Sequence, residues 1–308
     1  MSTDGCHVAI DVGGTKIRSA RVSADGGLID EVTAPTPADD GALLLRTVAE
    51  HVRRLAGHDP IGRVGVALPG AIERSSGQLL RSQNLPGLAT IDVPRSLADH
   101  LDAPVAIDND VALAAVGERW QGAARGVDEV AVIAVGTGIG SGLLTGGHLL
   151  RGARGLAGEL ADLPVLGDPF DPAQRDQGPL EYALGTVGLL RRYRELGGRG
   201  DLASVRAVFD ASAHETAAAQ VIAELHRGLA LTVMALRAIV DPELVVLTGG
   251  IGAAPGVAEG VGDLLDRLCG PQLRVVRSQL GDRAGLVGAA AVAQQREDAW
   301  AVGVPTRA

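Results

Sequence analysis

The chain has 308 residues, a mass of 31.4 kDa and a formal net charge of −9 at pH 7. This acidic charge argues against binding to nucleic acid or to an anionic membrane surface. Aromatic residues make up only 2% of the sequence, so side chains on which nucleic-acid bases could stack are scarce. A hydrophobic fraction of 46% with a charged fraction of 21% excludes a disordered chain.

Length and cysteine content narrow the protein class further. At about 150 residues per domain, the chain is long enough for two domains or one large bilobed unit. Two cysteines, Cys6 and Cys269, are too few for a disulfide scaffold or a cysteine-rich zinc site. Residues 1–5 lack the pattern of a secretion signal, and no apolar run reaches the length of a membrane span. We expect a cytoplasmic globular protein.

A glycine-rich turn breaks the first predicted strands. Residues 7–12 and 17–22 have the composition of short apolar strands, with Gly13 and Gly14 between them. Residues 28–32 predict a third strand. The start of the chain is therefore a three-stranded meander.

The next elements alternate between helix and strand. Apolar residues at helical spacing predict a helix over residues 43–55, and a strand follows over 61–68. Residues 105–107 predict another strand, and a helix then starts at residues 108–110 and runs to about residue 120. This alternation is typical of an α/β protein.

The strand–turn–strand pattern occurs again near residue 130. Residues 130–135 predict a strand, 136–140 a glycine turn and 141–145 the returning strand, with a further short strand over 148–150. Two copies of one unit predict a duplicated α/β fold with two lobes and a cleft between them. The predicted domains are a smaller lobe of residues 1–112 with 290–308, and a larger lobe of residues 113–289.

The last third of the chain contains a long helix and another glycine turn. Residues 212–215 have the spacing of a capping box and predict the start of a helix that runs to about residue 240. A buried strand over residues 244–247 leads into a third glycine turn at residues 248–250. Residues 285–300 predict a closing helix.

The first glycine turn (residues 11–16) has the chemistry of a phosphate site. Asp11 ends a strand, two glycines follow, and Thr15 and Lys16 add a hydroxyl and an ammonium group. Glycines let backbone N–H groups approach an anion closely, and Asp11 could hold Mg²⁺ through water. A plain hairpin turn is the alternative for a single Gly-Gly pair. The glycine-rich pattern is repeated in the second glycine turn (residues 136–140), and this repetition favours phosphate binding.

Two commoner nucleotide-binding motifs are excluded by spacing. The sequence has no Gly-x-x-x-x-Gly-Lys-Ser/Thr segment, so the first glycine turn is not a Walker A loop. Gly136, Gly138 and Gly140 are spaced as Gly-x-Gly-x-Gly and lead into a strand, whereas a dinucleotide fingerprint leads into a helix. A dehydrogenase is therefore excluded.

These motifs resemble those of a known superfamily. The first and second glycine turns are similar to the two phosphate loops, and residues 247–250 to the adenosine loop, of the sugar kinase, hexokinase and actin ATPase superfamily. Within it, the sequence resembles the ROK family of bacterial sugar kinases and sugar-responsive repressors. The resemblance covers nearly the whole chain, with further matching segments in order at residues 65–70, 84–87, 109–110, 155–159, 241–243 and 280–289.

The resemblance implies a fold, an activity and a set of site residues. The fold is a duplicated, ribonuclease-H-like α/β fold of the actin and hexokinase type, and the activity is ATP- and Mg²⁺-dependent phosphorylation of a sugar by a homodimer. The implied nucleotide-binding residues are Asp11, Gly13, Gly14, Thr15, Lys16, Gly136, Thr137, Gly138, Gly249 and Gly250, with Asp11 near Mg²⁺. The implied sugar-binding residues are Asn84, Asn109, Asp110, Glu159, Asp162 and Glu181.

Asp110 is the candidate general base, because the matching residue of the family deprotonates the sugar hydroxyl. It follows a buried strand at the start of a helix, where aspartate commonly serves as the N-cap. Asp108 and Asn109 offer competing caps, so we favour the catalytic role for Asp110. Arg151 and Arg154 are predicted to brace their loop or an acidic neighbour rather than touch the substrate.

The sequence departs from the family pattern near the expected sugar pocket. Many members have a histidine that contacts the sugar and ligates zinc, followed by a cluster of cysteines. Here Asp162 stands in place of that histidine and no cysteine lies between Cys6 and Cys269, so we predict no zinc site. Asp162 could accept from sugar hydroxyls, pair with an amine, or cap a turn. Leu88 replaces a usual tryptophan, so glucose, an amino sugar and a cyclitol all remain candidate acceptors.

Two function classes follow from the resemblance. The first is a kinase that phosphorylates a primary hydroxyl of a hexose or hexose-like polyol. The second is a non-catalytic, sugar-binding regulator, as in the repressor branch of the family. Repressors carry an amino-terminal DNA-binding module that we do not find before residue 7, and Asp110 is present, so we favour the kinase.

Overall fold

The computed structural model describes residues 5–73, 76–80, 84–199, 202–271, 273–295 and 300–302. Its strands are β1 (Cys6–Val12), β2 (Lys16–Val22), β3 (Leu28–Pro35), β4 (Ile61–Leu68), β5 (Ala71–Ile72), β6 (Leu79–Leu80), β7 (Val105–Asn109), β8 (Val130–Val135), β9 (Ile139–Thr145), β10 (His148–Leu149), β11 (Leu244–Thr248), β12 (Arg274–Arg277) and β13 (Trp300–Val302). Its helices are α1 (Gly41–Ala56), α2 (Val93–Leu101), α3 (Asp110–Gln121), α4 (Pro172–Arg175), α5 (Pro179–Leu184), α6 (Thr186–Glu195), α7 (Val205–Ala211), α8 (Thr216–Val240), α9 (Gly249–Gly252), α10 (Val257–Cys269) and α11 (Ala284–Ala293). Short 3₁₀ helices cover Pro86–Leu88, Leu160–Asp162 and Gly281–Arg283.

The chain divides into two compact units. The first unit contains Met1–Arg125, His148–Ala157 and Arg283–Ala308, and the second contains Gly126–Gly147 and Gly158–Asp282. The predicted repeat is confirmed as an element order, with β1 and β2 in the first unit and β8 and β9 in the second. The α/β fold class is also confirmed. The lobe boundaries expected from the sequence stay predictions.

A six-stranded mixed sheet forms the centre of the first unit. Its order is β13-β7-β4-β1-β2-β3. Strands β1, β4 and β7 are parallel, whereas β2, β3 and β13 are antiparallel to their neighbours. In parallel sheets, ligands bind beyond the carboxyl ends of the strands. Asp11 near the end of β1 and Asn109 at the end of β7 therefore lie at the edge where a ligand is expected.

The two faces of this sheet are packed differently. One face carries branched side chains such as Val8, Ile10 and Val66, which form a buried core with Leu44 and Val48 of α1. Alternate strand residues point to opposite sides of a sheet, and the opposite face carries small residues such as Ala9, Gly65 and Ala67. The first face is a conventional apolar core, and the second allows close approach of a helix.

Small residues let α11 lie almost in contact with the backbone of its neighbours. A Cβ atom at Gly65 of β4 would lie 1.9 Å from the carbonyl oxygen of Ala289 in α11. A Cβ atom at Gly288 of α11 would lie 1.8 Å from the carbonyl oxygen of Leu113 in α3. No side chain fits at such distances, so this packing requires glycine. It explains how a chain so poor in aromatic residues still fills its core.

The second unit has its own sheet and a long central helix. Strands β8, β11 and β12 are parallel, and β9 is antiparallel to β8. Helix α8 packs against α6, α7 and α10. Its residues Val221, Leu225, Leu229 and Val233 are fully buried, at the four-residue spacing of one helix face.

Two helix boundaries differ from those expected from the sequence. The predicted capping box at residues 212–215 is wrong, because the Ser212 hydroxyl donates to the Phe209 carbonyl at 2.7 Å at the end of α7, and α8 begins at Thr216 without a side-chain cap. The predicted closing helix is too long, since α11 ends at Ala293 and Trp300–Val302 pairs with β7 as a strand. Residues 296–299 lie outside the described residues.

The hydropathy of the helices bears on membrane association. In the described part of the chain, no helix combines the length and the apolar character that crossing a bilayer requires.

A half-buried histidine makes the second unit sensitive to acid. The ring of His226 on α8 lies over Gly260 of α10, where a Cβ atom would approach Nδ1 to 2.3 Å. Its Nε2 atom is buried and has no hydrogen-bond partner among the described residues. Burial lowers the pKa of His226 below its ordinary value. Because the unfolded chain then binds the proton more readily, stability is lost as the pH falls below the unfolded pKa of about 6.5.

We predict that the melting temperature falls between about pH 7 and about pH 5, and that His226→Gln makes this fall shallower. Thermal unfolding followed by circular dichroism measures the slope. The exposed His214 supplies the matched control, since His214→Gln leaves the slope unchanged. Burial also lowers the pKa of His51, so a residual slope persists in the His226 variant. Equal slopes for wild type and His226→Gln contradict the assignment.

Candidate active site

The first glycine turn joins β1 to β2. The N–H of Gly13 donates to the carbonyl of Lys16 at 2.9 Å. Thr36, directly after β3, donates from its hydroxyl to the carbonyl of Gly13 at 2.7 Å and from its N–H to the carbonyl of Thr15 at 3.1 Å. Within the described residues, the N–H groups of Gly14 and Thr15 have no hydrogen-bond partner. The turn therefore presents exposed N–H groups of the kind that bind anions.

Asp11 and Asp110 come together at the carboxyl edge of the first sheet. A Cβ atom at Gly285, in the first turn of α11, would lie 3.3 Å from Oδ1 of Asp11 and 3.5 Å from the carbonyl oxygen of Asp110. The carboxylate of Asp11 is thus beside a helix N-terminus, where the helix dipole favours negative charge. The end of β1 and the start of α3, far apart in the sequence, thus both lie beside the first turn of α11.

Asn109 caps α3. Its Oδ1 atom accepts from the N–H groups of Val111 and Ala112, both at 2.9 Å. Its Nδ2 atom donates to the carbonyl of Gly70 at 3.3 Å, and an amide nitrogen has a second hydrogen to offer. The cap falls on Asn109, so Asp110 at the first position of the helix is not needed for it.

The carboxyl of Asp110 is held in a desolvated position. Its Oδ1 atom accepts from the N–H of Val111 at 2.8 Å. Burial raises the pKa of Asp110 above its ordinary value, and the hydrogen bonds from Val111 and from its own N–H offset only part of that effect. A carboxylate with a raised pKa is a stronger base than a solvated one, which suits a general base.

Asp108 anchors the same strand end through a partly buried ion pair. Its Oδ2 atom lies 2.6 Å from Nε of Arg151, and its Oδ1 atom accepts from the N–H of Asn109 at 3.0 Å. Both side chains of the ion pair are partly buried, with 14% and 16% of their surface exposed. The carbonyl of Arg151 accepts from the N–H of Ala157 at 3.1 Å. The prediction that Arg151 braces an acidic neighbour is confirmed.

Asn84 lies against the first glycine turn. A Cβ atom at Gly14 would lie 3.5 Å from Cβ of Asn84. Asn84 is exposed, and it precedes the 3₁₀ helix Pro86–Leu88. In the first unit the structure therefore places Asn84, Asn109, Asp110 and Asp11 around one turn and one sheet edge.

The second glycine turn, like the first, is closed by the N–H of its first glycine, over a loop that is one residue shorter. The N–H of Gly136 donates to the carbonyl of Gly138 at 2.9 Å. Thr186, at the start of α6, donates to the carbonyl of Gly136 from both its hydroxyl, at 2.9 Å, and its N–H, at 3.0 Å. The N–H groups of Thr137 and Gly138 have no partner in the part of the chain that the structure describes. This turn also presents unpaired N–H groups.

Glu181 of α5 lies directly on the second glycine turn. Its Oε2 atom accepts from the N–H of Ile139 at 3.1 Å. A Cβ atom at Gly138 would lie 2.5 Å from the same oxygen. The carboxylate predicted to hold a sugar hydroxyl is therefore also in contact with the predicted phosphate turn.

The third glycine segment adjoins the second turn. Strand β11 is the parallel neighbour of β8, with Thr248 opposite Ala134. Gly249 follows with φ of 81°, and a Cβ atom there would lie 2.4 Å from the carbonyl of Val135. Only glycine fits this conformation and this approach. Residues 248–250 start the short helix α9 where a further glycine turn was expected.

Glu159 and Asp162 lie on the loop that follows Gly158. The hydroxyl and the N–H of Ser141 both donate to the carbonyl of Gly158, which holds this loop against β9. Glu159 is half-buried and precedes the 3₁₀ helix Leu160–Asp162, whereas Asp162 is exposed. Among the described residues, no three histidine, cysteine, aspartate or glutamate side chains are grouped to hold a metal ion.

Three residues of this site were not identified as functional from the sequence. Thr36 and Thr186 bond the turns from elements that lie 23 and 50 residues away from their partners. No local pattern indicates such a contact. Asp108 was considered only as a competing cap, and its pairing with Arg151 depends on the fold.

Comparison with known proteins gives the class of the enzyme. A glucokinase of Thermotoga maritima is 30% identical over 94% of this chain and 97% of its own, and an N-acetylmannosamine kinase of Escherichia coli O139:H28 is 33% identical over 93% and 98%. Among solved structures, a ROK hexokinase of Thermus thermophilus matches with a TM-score of 0.80 at 30% identity, over 94% of this chain and 98% of that one. Together with the fold and the glycine turns, these matches define the protein as a sugar kinase.

Two further solved structures of ROK proteins match most of this chain. A ROK family glucokinase of Streptomyces griseus, in complex with glucose and AMPPNP, matches with a TM-score of 0.74 at 25% identity, over 94% of this chain and 100% of that one. A ROK family transcriptional regulator shares the fold with a TM-score of 0.75 at 21% identity, over 94% of this chain and 78% of that one. Residues 7–296 match the ROK family, and the chain belongs to it.

The contact between Gly138 and Glu181 supplies a test of the second glycine turn. We predict that Gly138→Ala lowers kcat/KM by about tenfold or more, because the added Cβ must displace the Glu181 carboxylate or the turn. Steady-state kinetics with varied nucleotide and sugar measure the change.

Gly262 on α10 provides the matched control, since a Cβ atom there meets nothing within 4 Å. Gly262→Ala keeps wild-type kinetics. Wild-type kinetics for Gly138→Ala would show that the turn tolerates the displacement, and the Glu181 contact would then have no part in activity.

Proposed function

We propose that this protein transfers the γ-phosphoryl group of ATP, with Mg²⁺, to a hydroxyl of a hexose or a hexose-like polyol. The hydroxyl is a primary one, equivalent to the 6-hydroxyl of a hexose. The observation that carries the proposal is the arrangement at the start of α3, where Asn109 caps the helix and the desolvated carboxyl of Asp110 is left for chemistry.

Asp110 accepts the proton of the attacking hydroxyl. Phosphoryl transfer requires a group that receives this proton, neutralisation of the phosphate charge and in-line positioning. The raised pKa of Asp110 matches the first requirement, because it brings the proton affinity of the carboxylate closer to that of the group it deprotonates. The Asp108–Arg151 ion pair keeps the end of β7 rigid beside it.

The two glycine turns hold the phosphates. Their unpaired N–H groups, at Gly14 and Thr15 in the first turn and at Thr137 and Gly138 in the second, fit an anion. Thr15 and Lys16 add a hydroxyl and a positive charge. Asp11 is the residue placed to hold Mg²⁺ through water, and the ion would neutralise phosphate charge. Gly249 and Gly250 would adjoin the adenosine.

The acceptor is a sugar whose hydroxyls are held by Asn84, Asn109, Glu159, Asp162 and Glu181. Relatives of similar identity are named glucokinase and N-acetylmannosamine kinase, so both a plain hexose and an amino sugar are candidates for this chain. Asp162 leaves glucose, an amino sugar and a cyclitol as candidate acceptors, because a carboxylate can pair with an amine and can also accept from two hydroxyls. The protein would work in the cytoplasm as a homodimer.

A non-catalytic sugar-binding regulator is the second candidate. The likeness to a ROK transcriptional regulator supports it at the level of the fold. Phosphate transfer from ATP, measured against a panel of hexoses, amino sugars and cyclitols, separates the two. A kinase turns over at least one acceptor and releases ADP in equal amount, whereas sugar binding by calorimetry without turnover on any acceptor supports the regulator.

Asp110→Asn tests the general base. We predict that kcat falls about 10²-fold or more, because asparagine cannot accept the proton. We also predict that the melting temperature at neutral pH does not fall. The folded pKa of Asp110 is raised, so its ionised form destabilises the fold above that pKa, and asparagine removes this charge while its oxygen still accepts from Val111.

Turnover and melting temperature each provide an independent test of the assignment. Near-normal turnover of Asp110→Asn removes Asp110 from the mechanism. A clear loss of melting temperature shows that the carboxylate is stabilised, not desolvated, at this position. Asp102→Asn is the control, because Asp102 is exposed at the end of α2 and belongs to neither prediction.

A further inference from the structure

Each of the two glycine turns accepts the same kind of hydrogen bond, from a threonine that no sequence motif indicates. In the first turn the hydroxyl of Thr36 donates to the carbonyl of Gly13, and in the second the hydroxyl of Thr186 donates to the carbonyl of Gly136. In both turns the acceptor is the carbonyl of the first glycine, and in both the N–H of that same glycine closes the turn. The donors come from unrelated elements, one after a strand and one at the start of a helix.

This bond fixes the direction of the next N–H group. A peptide unit is planar and trans, so its C=O and its N–H point in opposite directions. When Thr36 binds the carbonyl of Gly13, the N–H of Gly14 must point away from Thr36. The same reasoning directs the N–H of Thr137 away from Thr186. These are two of the N–H groups that have no partner among the described residues.

Without the threonine, each peptide unit could rotate. Glycine permits many backbone conformations, so a turn rich in glycine has little intrinsic preference for one orientation of its peptide planes. A rotated unit would present a carbonyl oxygen where an anion is expected, and the two would repel each other. A turn fixed in the correct orientation avoids an ordering cost when the ligand binds.

We propose that Thr36 and Thr186 are positioning residues for the nucleotide phosphates, each acting through the first glycine carbonyl of its turn. Neither residue is among those that the motifs predict to touch a ligand. The proposal rests on the proposed function, since it takes the two turns to be the phosphate sites. It adds that their binding competence depends on two threonine hydroxyls outside the turns.

The two positions differ in a way that sharpens the proposal. The carbonyl of Gly136 also accepts from the N–H of Thr186 at 3.0 Å, so one bond survives when the hydroxyl is removed. The carbonyl of Gly13 accepts from Thr36 only through the hydroxyl, because the N–H of Thr36 is bonded to Thr15. Loss of the hydroxyl is therefore more damaging at Thr36 than at Thr186.

The test compares valine and serine at each position. Valine keeps the shape of threonine and removes the donor, whereas serine keeps the donor. We expect Thr36→Val to weaken binding of Mg²⁺–AMPPNP about fivefold to tenfold and Thr186→Val to weaken it less, with sugar affinity unchanged and with serine restoring wild-type values. Isothermal titration calorimetry with AMPPNP and, separately, with the best acceptor of the panel measures both affinities.

Matched controls are available in both units. Thr33 is an exposed threonine of β3, three residues before Thr36, and Thr145 is an exposed threonine at the end of β9 in the second unit. Thr33→Val and Thr145→Val keep wild-type nucleotide affinity. Melting temperatures of all variants identify any loss that comes from unfolding.

A second readout follows from the composition of the chain. Lys16 is the only lysine in the sequence and lies in the first glycine turn. Protection of its amine from an acylating reagent by Mg²⁺–AMPPNP therefore reports occupancy of that turn alone, once the N-terminal amine is blocked. We expect protection to require more nucleotide in Thr36→Val than in wild type or in Thr186→Val.

The outcomes separate this proposal from the proposed function. If wild type binds AMPPNP but both valine variants match their controls, the threonine proposal is overturned and the kinase assignment stands. If wild type binds no nucleotide and Lys16 is never protected, the phosphate assignment itself fails. Equal weakening of nucleotide and sugar affinity, or no recovery with serine, means that the threonines serve only to keep the fold intact.

Discussion

Strand pairing leaves a small number of backbone N–H groups unused at each glycine turn, and the candidate chemistry depends on them. In the paired strands nearly every N–H has a carbonyl partner, as stable structure requires. At Gly14, Thr15, Thr137 and Gly138 that pairing stops, and none of these residues is buried, so leaving their N–H groups unpaired costs little. A bound anion would accept hydrogen bonds from these N–H groups, and the orientation of the groups decides whether an anion can bind.

Three consecutive polar residues at the end of β7 illustrate how one strand end can carry separate tasks. Asp108 is tied to Arg151, Asn109 caps α3 and bonds Gly70, and Asp110 remains desolvated beside them. If Asp110 had to cap the helix, its carboxylate would be stabilised as an anion and would be a weaker base. The cap by an uncharged neighbour preserves the raised pKa.

Close packing by small residues positions the site in the first unit. Glycine at positions 65 and 288 lets α11 approach the backbone of β4 and α3, and this brings Gly285 beside Asp11 and Asp110. Glycine, which the sequence pattern links to phosphate-binding turns, thus also serves close packing in the core. A larger side chain at either position would move the helix and with it the acidic edge of the sheet.

The sequence by itself determined the α/β class, the repeated strand–turn–strand unit, most strand positions and the family, because these depend on local hydrophobic periods, on glycine turns and on ordered motifs. It did not determine which of residues 108–110 caps α3, where α8 begins, or that Thr36 and Thr186 bond the turns. The cap of α3 and the start of α8 depend on which of several neighbouring groups takes a given donor or acceptor, as when the Ser212 hydroxyl donates to the Phe209 carbonyl and does not cap α8. The two threonine bonds depend on elements that are distant in the sequence. The local sequence pattern indicates several possible partners for each hydrogen bond. The tertiary structure decides which of them lies close enough to form it.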